Sequence, residues 1–157
     1  MSKRAALAVL LTCLSLTSSQ TRTVRAAASS PLEGVWQVND VSGTAAAGLY
    51  IFTPGNHYSI MFATKDRPQI DETNKASADE LRAMWGPMAA NAGTYEVSGS
   101  LVTIRPIVAK IPIVMAPGAN EVYAFSVDAK TLSLTQQRNA RGVTVQNANT
   151  VHLARVE

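Results

Sequence analysis

From Leu32 to the C-terminus, short apolar and aromatic runs are interrupted at regular intervals by turn residues, and this punctuation constrains the fold more than any other feature of the chain. The runs are Gly34 to Val38, Gly48 to Thr53, His57 to Ala63, Gly93 to Val97, Leu101 to Pro106, Glu121 to Val127, Thr131 to Thr135, Val143 to Gln146 and Thr150 to Val156, nine strand candidates in all. Several of the breaks have hairpin chemistry: Pro54-Gly55-Asn56, Ser98-Gly99-Ser100, Asp128-Ala129-Lys130 and Asn139-Ala140-Arg141-Gly142. Strands joined by connections this short run antiparallel, up and down. A parallel sheet would need crossover helices after most strands, and 157 residues leave no room for them.

One segment breaks the pattern. Ser77 can cap a helix, Glu80 stands three residues on, and Leu81, Met84 and Trp85 recur at helical spacing, which predicts one short helix from Ala78 to about Trp85, ended by Pro87. Its apolar face of Leu81, Met84, Trp85 and Met88 is expected to cover an open end or side wall of the sheet. A sheet of eight or nine strands leaves exposed edges unless it closes. At that size a closed barrel is filled by side chains or holds one small ligand. The expected fold is therefore all-β, a small antiparallel up-and-down barrel of about eight or nine strands with one short helix.

The N-terminus reads differently. Lys3 and Arg4 precede an apolar run from Ala5 to Leu16, the layout of a secretory signal and too short for a membrane-spanning helix. Cleavage fits small residues near position 19 or near position 28, so residues 1–28 are expected to be signal and linker and 29–157 the domain. The expected location is secreted or periplasmic, without a transmembrane anchor after processing. Cys13 is the single cysteine and lies in the signal, so no disulfide is expected in the domain. The isoelectric point of 9.2 also depends on this segment. Without Lys3, Arg4, Arg22 and Arg25, ten basic residues face eleven acidic ones, and the electrostatic footprint of a nucleic-acid partner is gone.

Leu32-Glu33-Gly34-Val35-Trp36 resembles the Gly-x-Trp opening of lipocalin-type barrels, in which the tryptophan packs across one end. The segment Gly48 to Gly55, then Tyr58-Ser59, Asp66-Arg67-Pro68, Ala89 to Val97 and the ending Val151 to Arg155 are similar, in order and spacing, to the bacterial and fungal lipocalin-like domain family. The resemblance implies a lipocalin-like barrel more firmly than any activity. Members often carry a pair of histidines on the strand after the Gly-Thr-Tyr segment and an Asn-Trp further on. Here that strand reads Thr103-Ile104-Arg105-Pro106, so a function resting on those histidines does not transfer.

Chemistry-bearing motifs are sparse. His57 and His152 are the only histidines and lack metal-ligand spacing. No nucleophile elbow and no phosphate-cradling glycine loop occurs, so neither a catalytic set nor a cofactor is expected. Asp71-Glu72 and Asp79-Glu80 read as charge favouring the helix N-terminus. What remains is an aromatic and sulfur-rich set. Alternation places Tyr50 with Phe52, Tyr58 with Phe62, and Tyr123 with Phe125 on common sheet faces, joined by Tyr95, by Trp85 of the helix, and by Met61, Met84, Met88 and Met115. These residues either fill a core or line an apolar cavity in which tyrosine hydroxyls orient a ligand. Arg67 and Arg105 are candidates to hold a carboxylate head group at its mouth. Arg155 is placed to stack on Trp36.

Three functions fit. The first is binding of a small hydrophobic or amphipathic ligand, such as a fatty acid or isoprenoid. The second is a cofactor-free isomerase or cyclase using the same cavity, with Glu96 or Glu121 as base. The third is a cell-envelope interaction through the apolar stretch Ile107 to Gly118, which reads as a doubly covered strand, a lid loop or an exposed patch, with Pro112 arguing against a central strand.

Overall fold

The computed structural model describes residues 29–157, so the expected signal and linker, 1–28, lie outside the described residues. Eight antiparallel strands close into one barrel in sequence order: β1 Gly34–Val41, β2 Thr44–Phe52, β3 His57–Thr64, β4 Met88–Ser98, β5 Leu101–Ala109, β6 Glu121–Val127, β7 Thr131–Arg138 and β8 Thr150–Arg155. β8 returns to pair with β1, with Val38 opposite Leu153 and Trp36 opposite Arg155, so no strand is left at an edge. One helix, α1 Ala78–Trp85, interrupts the β3–β4 connection, and a 3-10 turn, Pro112–Met115, interrupts the β5–β6 connection.

The turns form where the local chemistry asks for them. In the β1–β2 hairpin, Ser42 and Gly43 both take positive φ, 49° and 85°, the mirror-image turn that matches strand twist. At the β6–β7 turn, Asp128 Oδ1 accepts from the backbone N–H groups of Lys130 and Thr131, at 2.7 Å each. Gly93 sits at a bulge in the β4–β5 ladder, and a Cβ there would lie 2.0 Å from the Arg105 carbonyl oxygen, so the two backbones approach this closely only with glycine.

Alternation sends one face of each strand inward. Trp36, Val38, Tyr50, Phe52, Tyr58, Ile60, Tyr95, Val102, Ile104, Leu132, Leu134, Val151 and Leu153 form a single buried core. The end at which β1 starts and β8 finishes is closed. Leu32 and Trp36 are fully buried there, the Trp36 indole N–H donates to the Leu32 carbonyl at 2.8 Å, and the Arg155 guanidinium lies 4.0 Å from the centre of the indole ring. The stacking expected of Arg155 is thus observed. The opposite end, where β5 finishes and β6 begins, is the mouth. Pairing between β5 and β6 covers only Leu101 to Ile104 on the β5 side, and beyond Ile104 the two strands separate.

Three local expectations are corrected. Val143 to Gln146 is not a ninth strand: β7 pairs directly with β8, Thr135 opposite Thr150, and the intervening loop makes a single bridge, Arg138 to Thr144. β4 and β5 are longer than the alternation suggested, because β4 starts at Met88 and β5 runs through Pro106 to Ala109. Pro106 is tolerated because β5 has already left β6 at that point, so no hydrogen bond on that side is lost. Finally, α1 forms where expected and with the full capping box, Ser77 N–H donating to Glu80 Oε2 at 2.8 Å and Glu80 N–H to Ser77 Oγ at 3.3 Å, yet it buries none of its residues. Trp85 remains 50% exposed. Eight residues hung on a long connection do not reach across the mouth. The loop residues that line the mouth, Ile111 and Val114, are in the β5–β6 connection.

Candidate functional site

Most of the aromatic set meets inside the barrel. Tyr50 stacks on Phe62 at 5.9 Å between ring centres, and Phe52 meets Tyr95 edge-on at 5.1 Å and Tyr58 at 6.5 Å. Phe125 and Tyr123 pack against the same core from β6. These rings fill the space they enclose. The void bounded by Tyr50, Phe52, Ile60, Val102, Ile104, Tyr123 and Leu134 is about 10 Å³, at the lower limit for one water molecule. The central barrel is therefore packed core, and a ligand has to be sought at its mouth.

A cavity of about 220 Å³ lies there, between Met88 to Asn91 of β4, Ala109, Lys110, Ile111 and Val114 from the end of β5 and the 3-10 turn, and Glu121, Tyr123 and Gln136 of β6 and β7. The Lys110 ammonium anchors its rim by donating to the backbone carbonyls of Trp85, Gly86 and Met88. This ties the β5–β6 connection to the end of α1. A larger depression of about 500 Å³ lies between the Ile113–Asn120 and Arg138–Gly142 loops. It is open and holds no buried ionisable group, and we place no site there.

The polar end of the mouth cavity is built by strand parity. Glu121 opens β6 on the same face as Tyr123, and Gln136 shares the face of Leu132 and Leu134 on β7, so all three enter the barrel. Gln136 Nε2 donates to Glu121 Oε1 at 2.7 Å, and the Tyr123 hydroxyl reaches Glu121 Oε2 at 3.4 Å. Glu121 is only 9% exposed. Burial pushes its carboxyl above the ordinary range, while the hydrogen bonds from Gln136 and Tyr123 pull it partly back. Burial, followed by the charge of Glu121, raises the hydroxyls of Tyr50, Tyr58 and Tyr123 as well, so these groups share one electrostatic environment. Two polar atoms inside the barrel have no hydrogen-bond partner: the Tyr58 hydroxyl and Asn91 Oδ1.

The remaining expected site residues lie elsewhere. Arg105 is on the outer surface of β5, paired with Glu96 Oε2 at 3.2 Å, because both face away from the interior. Neither can act inside the cavity, and this removes Glu96 as a candidate base. Arg67 and Trp85 are exposed on the β3–β4 connection, and both histidines face solvent. Among the described residues no group of three potential ligands stands close enough to hold a metal ion. Asn91 and Gln136 were not singled out from the sequence, although their parity with Tyr95 and with Leu134 was a usable signal.

The lipocalin-like domain model matches residues 34–155, a span that covers all eight strands of the closed barrel. The chain belongs to the lipocalin-like domain family. Comparison with curated protein sequences gives no match.

Proposed function

We propose that this lipocalin-like barrel binds a small amphipathic molecule at its mouth, apolar part against Ala89, Ile111 and Val114 and polar part toward Glu121, Tyr123 and Gln136. The observation that carries the reading is the 220 Å³ cavity ending on a hydrogen-bonded carboxyl group, set above a centre that has no room. Small-molecule pockets combine an apolar wall with a few convergent polar groups in this way. The volume falls below the roughly 300 Å³ lower end of drug-sized pockets and so suits a small ligand. The N-terminal signal pattern adds the expectation that the protein meets this ligand after export.

Native mass spectrometry of the protein recovered from the exported fraction tests both parts. A mass excess that disappears on denaturation is expected, along with loss of residues up to near position 19 or 28. An Ala89→Trp variant, on the same inward face of β4 as Asn91, fills the cavity and is expected to abolish the excess, while Arg105→Ala on the outer wall leaves it unchanged. An apo mass in every preparation, together with no binding of a neutral lipophilic dye such as Nile red, would remove the binding role. A second reading rests on the exposure of Ile107 and Val108, at 70% and 62%: the same end of the barrel presents an apolar surface to an envelope partner. Replacing both by serine would weaken such an association and leave the mass excess intact.

A further inference from the structure

The unsatisfied groups at the mouth share one polarity. Asn91 Oδ1 can only accept a hydrogen bond, and Glu121 brings a carboxylate that only accepts once ionised. The described ion pairs, Lys75–Glu72, Arg82–Asp79 and Arg105–Glu96, leave Glu121 without a cation. The nearest basic group on the cavity wall, Lys110, has its ammonium engaged by three backbone carbonyls. Arg138, one position from the Glu121 ladder, bonds Asn120 Oδ1 at 3.3 Å. A buried carboxylate without a cation is costly, and a ligand that supplies one relieves that cost.

From this geometry we infer that the mouth cavity selects an organic ammonium ion, a primary or secondary amine on a small apolar body, with Glu121 as its counter-ion and Asn91 Oδ1 as a second acceptor for its N–H groups. The inference rests on the binding role proposed above and specifies its ligand. The ring of Tyr123, the aromatic side chain on the cavity wall, suits the same guest, since an ammonium is attracted to an aromatic face. A fatty-acid carboxylate, the head group that sequence alone allowed, meets the wrong sign of charge: the arginines expected to receive it, Arg67 and Arg105, lie outside the barrel, and a carboxylate occupies the polar end.

Three probes of one shape separate the possibilities: 2-phenylethylamine, 2-phenylethanol and phenylacetate, titrated calorimetrically into the full protein near neutral pH. The amine is expected to bind about tenfold or more tighter than the alcohol, with phenylacetate weakest. Glu121→Gln is expected to lower amine affinity about tenfold and leave alcohol affinity within about twofold, and Asn91→Leu to lower amine affinity by a smaller factor in the same direction. Alcohol or acid binding as tightly as the amine, or a Glu121→Gln loss equal for all three probes, overturns the ammonium assignment while the cavity stands. Failure of all three probes and of Nile red overturns the assignment together with the binding role beneath it.

Discussion

The two ends of this barrel solve the burial of polar atoms in opposite ways. At the closed end Trp36, Tyr95 and Arg155 each donate to a backbone carbonyl: that of Leu32, that of Thr53 at 3.1 Å and that of Glu33 at 2.9 Å. At the mouth, Glu121 is buried with only neutral partners, and Asn91 Oδ1 has none. The closed end follows the rule that buried polar groups are satisfied, and the mouth departs from it. Departures of this kind reduce stability, and a chain that retains them places them where something else is gained, most often at a binding site. The apolar surface is divided in the same way. Leu32 and Trp36 are fully buried, whereas Ile107, Val108 and Ile111 around the mouth are more than half exposed.

The comparison is broken most severely at the closed end. Trp36→Ala removes a fully buried indole, its hydrogen bond to Leu32 and the stacking surface of Arg155. A loss of about 3–5 kcal/mol is expected in urea or guanidinium unfolding, a large share of the stability of a domain this size. Because the mouth is at the other end, whatever folded protein remains should keep its ligand preference.

The next largest effect has the opposite sign. The carboxyl of Glu121 holds its proton more tightly in the folded chain than in the unfolded one, where it ionises near the ordinary value of 4.5. Over the interval from that pH up to the raised folded value, the native state binds more protons than the unfolded state, so stability falls as pH rises and then levels off. Glu121→Gln is therefore expected to be more stable than the parent above this interval, by about 1–2 kcal/mol, and equal or slightly less stable below it. Unfolding of both proteins followed across acidic to neutral pH checks this. A difference that did not change with pH would mean that Glu121 is not held against its charge, and the contrast between the two ends would lose its main support.

How much of this contrast could be read from the sequence depends on the physics involved at each position. Strand alternation and turn residues encode the barrel directly, and the Gly34-Val35-Trp36 opening with Arg155 at the far end of the chain encoded the plug. The capping box placed α1 to the residue. What it packs against is a tertiary fact, and Trp85, apolar at helical spacing, remains half exposed. Val143 to Gln146 has strand composition but loses its place because β7 and β8 pair without it. Arg105 looked suited to a ligand from its residue type, but its parity with Thr103 on β5 put it outside. Parity also put Glu121 inside, beside Tyr123. The sequence offered Glu121 and Glu96 alike as a base in the cavity, and strand phase separates the two, since Glu96 pairs with Arg105 on the outer face.

The smallest effects come from a matched pair of hydroxyls that differ mainly in whether they are satisfied. Tyr95 and Tyr58 are each 3% exposed, and both meet the ring of Phe52. The Tyr95 hydroxyl donates to the Thr53 carbonyl at 3.1 Å, across 42 residues of chain, whereas the Tyr58 hydroxyl has no partner. Tyr95→Phe removes a made bond and leaves the Thr53 carbonyl with the Asn56 N–H as its remaining donor, so a loss of about 1 kcal/mol is expected. Tyr58→Phe removes an atom whose desolvation nothing repays, so the change should be near zero or slightly stabilising, within about 0.5 kcal/mol. Equilibrium unfolding resolves a difference of this size when the two variants share one denaturant slope. If Tyr58→Phe proved as costly as Tyr95→Phe, its hydroxyl would have to be satisfied in solution by a bound water or a retained ligand. Repeating the pair after denaturing extraction and refolding distinguishes the two, because a retained ligand is lost in that procedure and water is not.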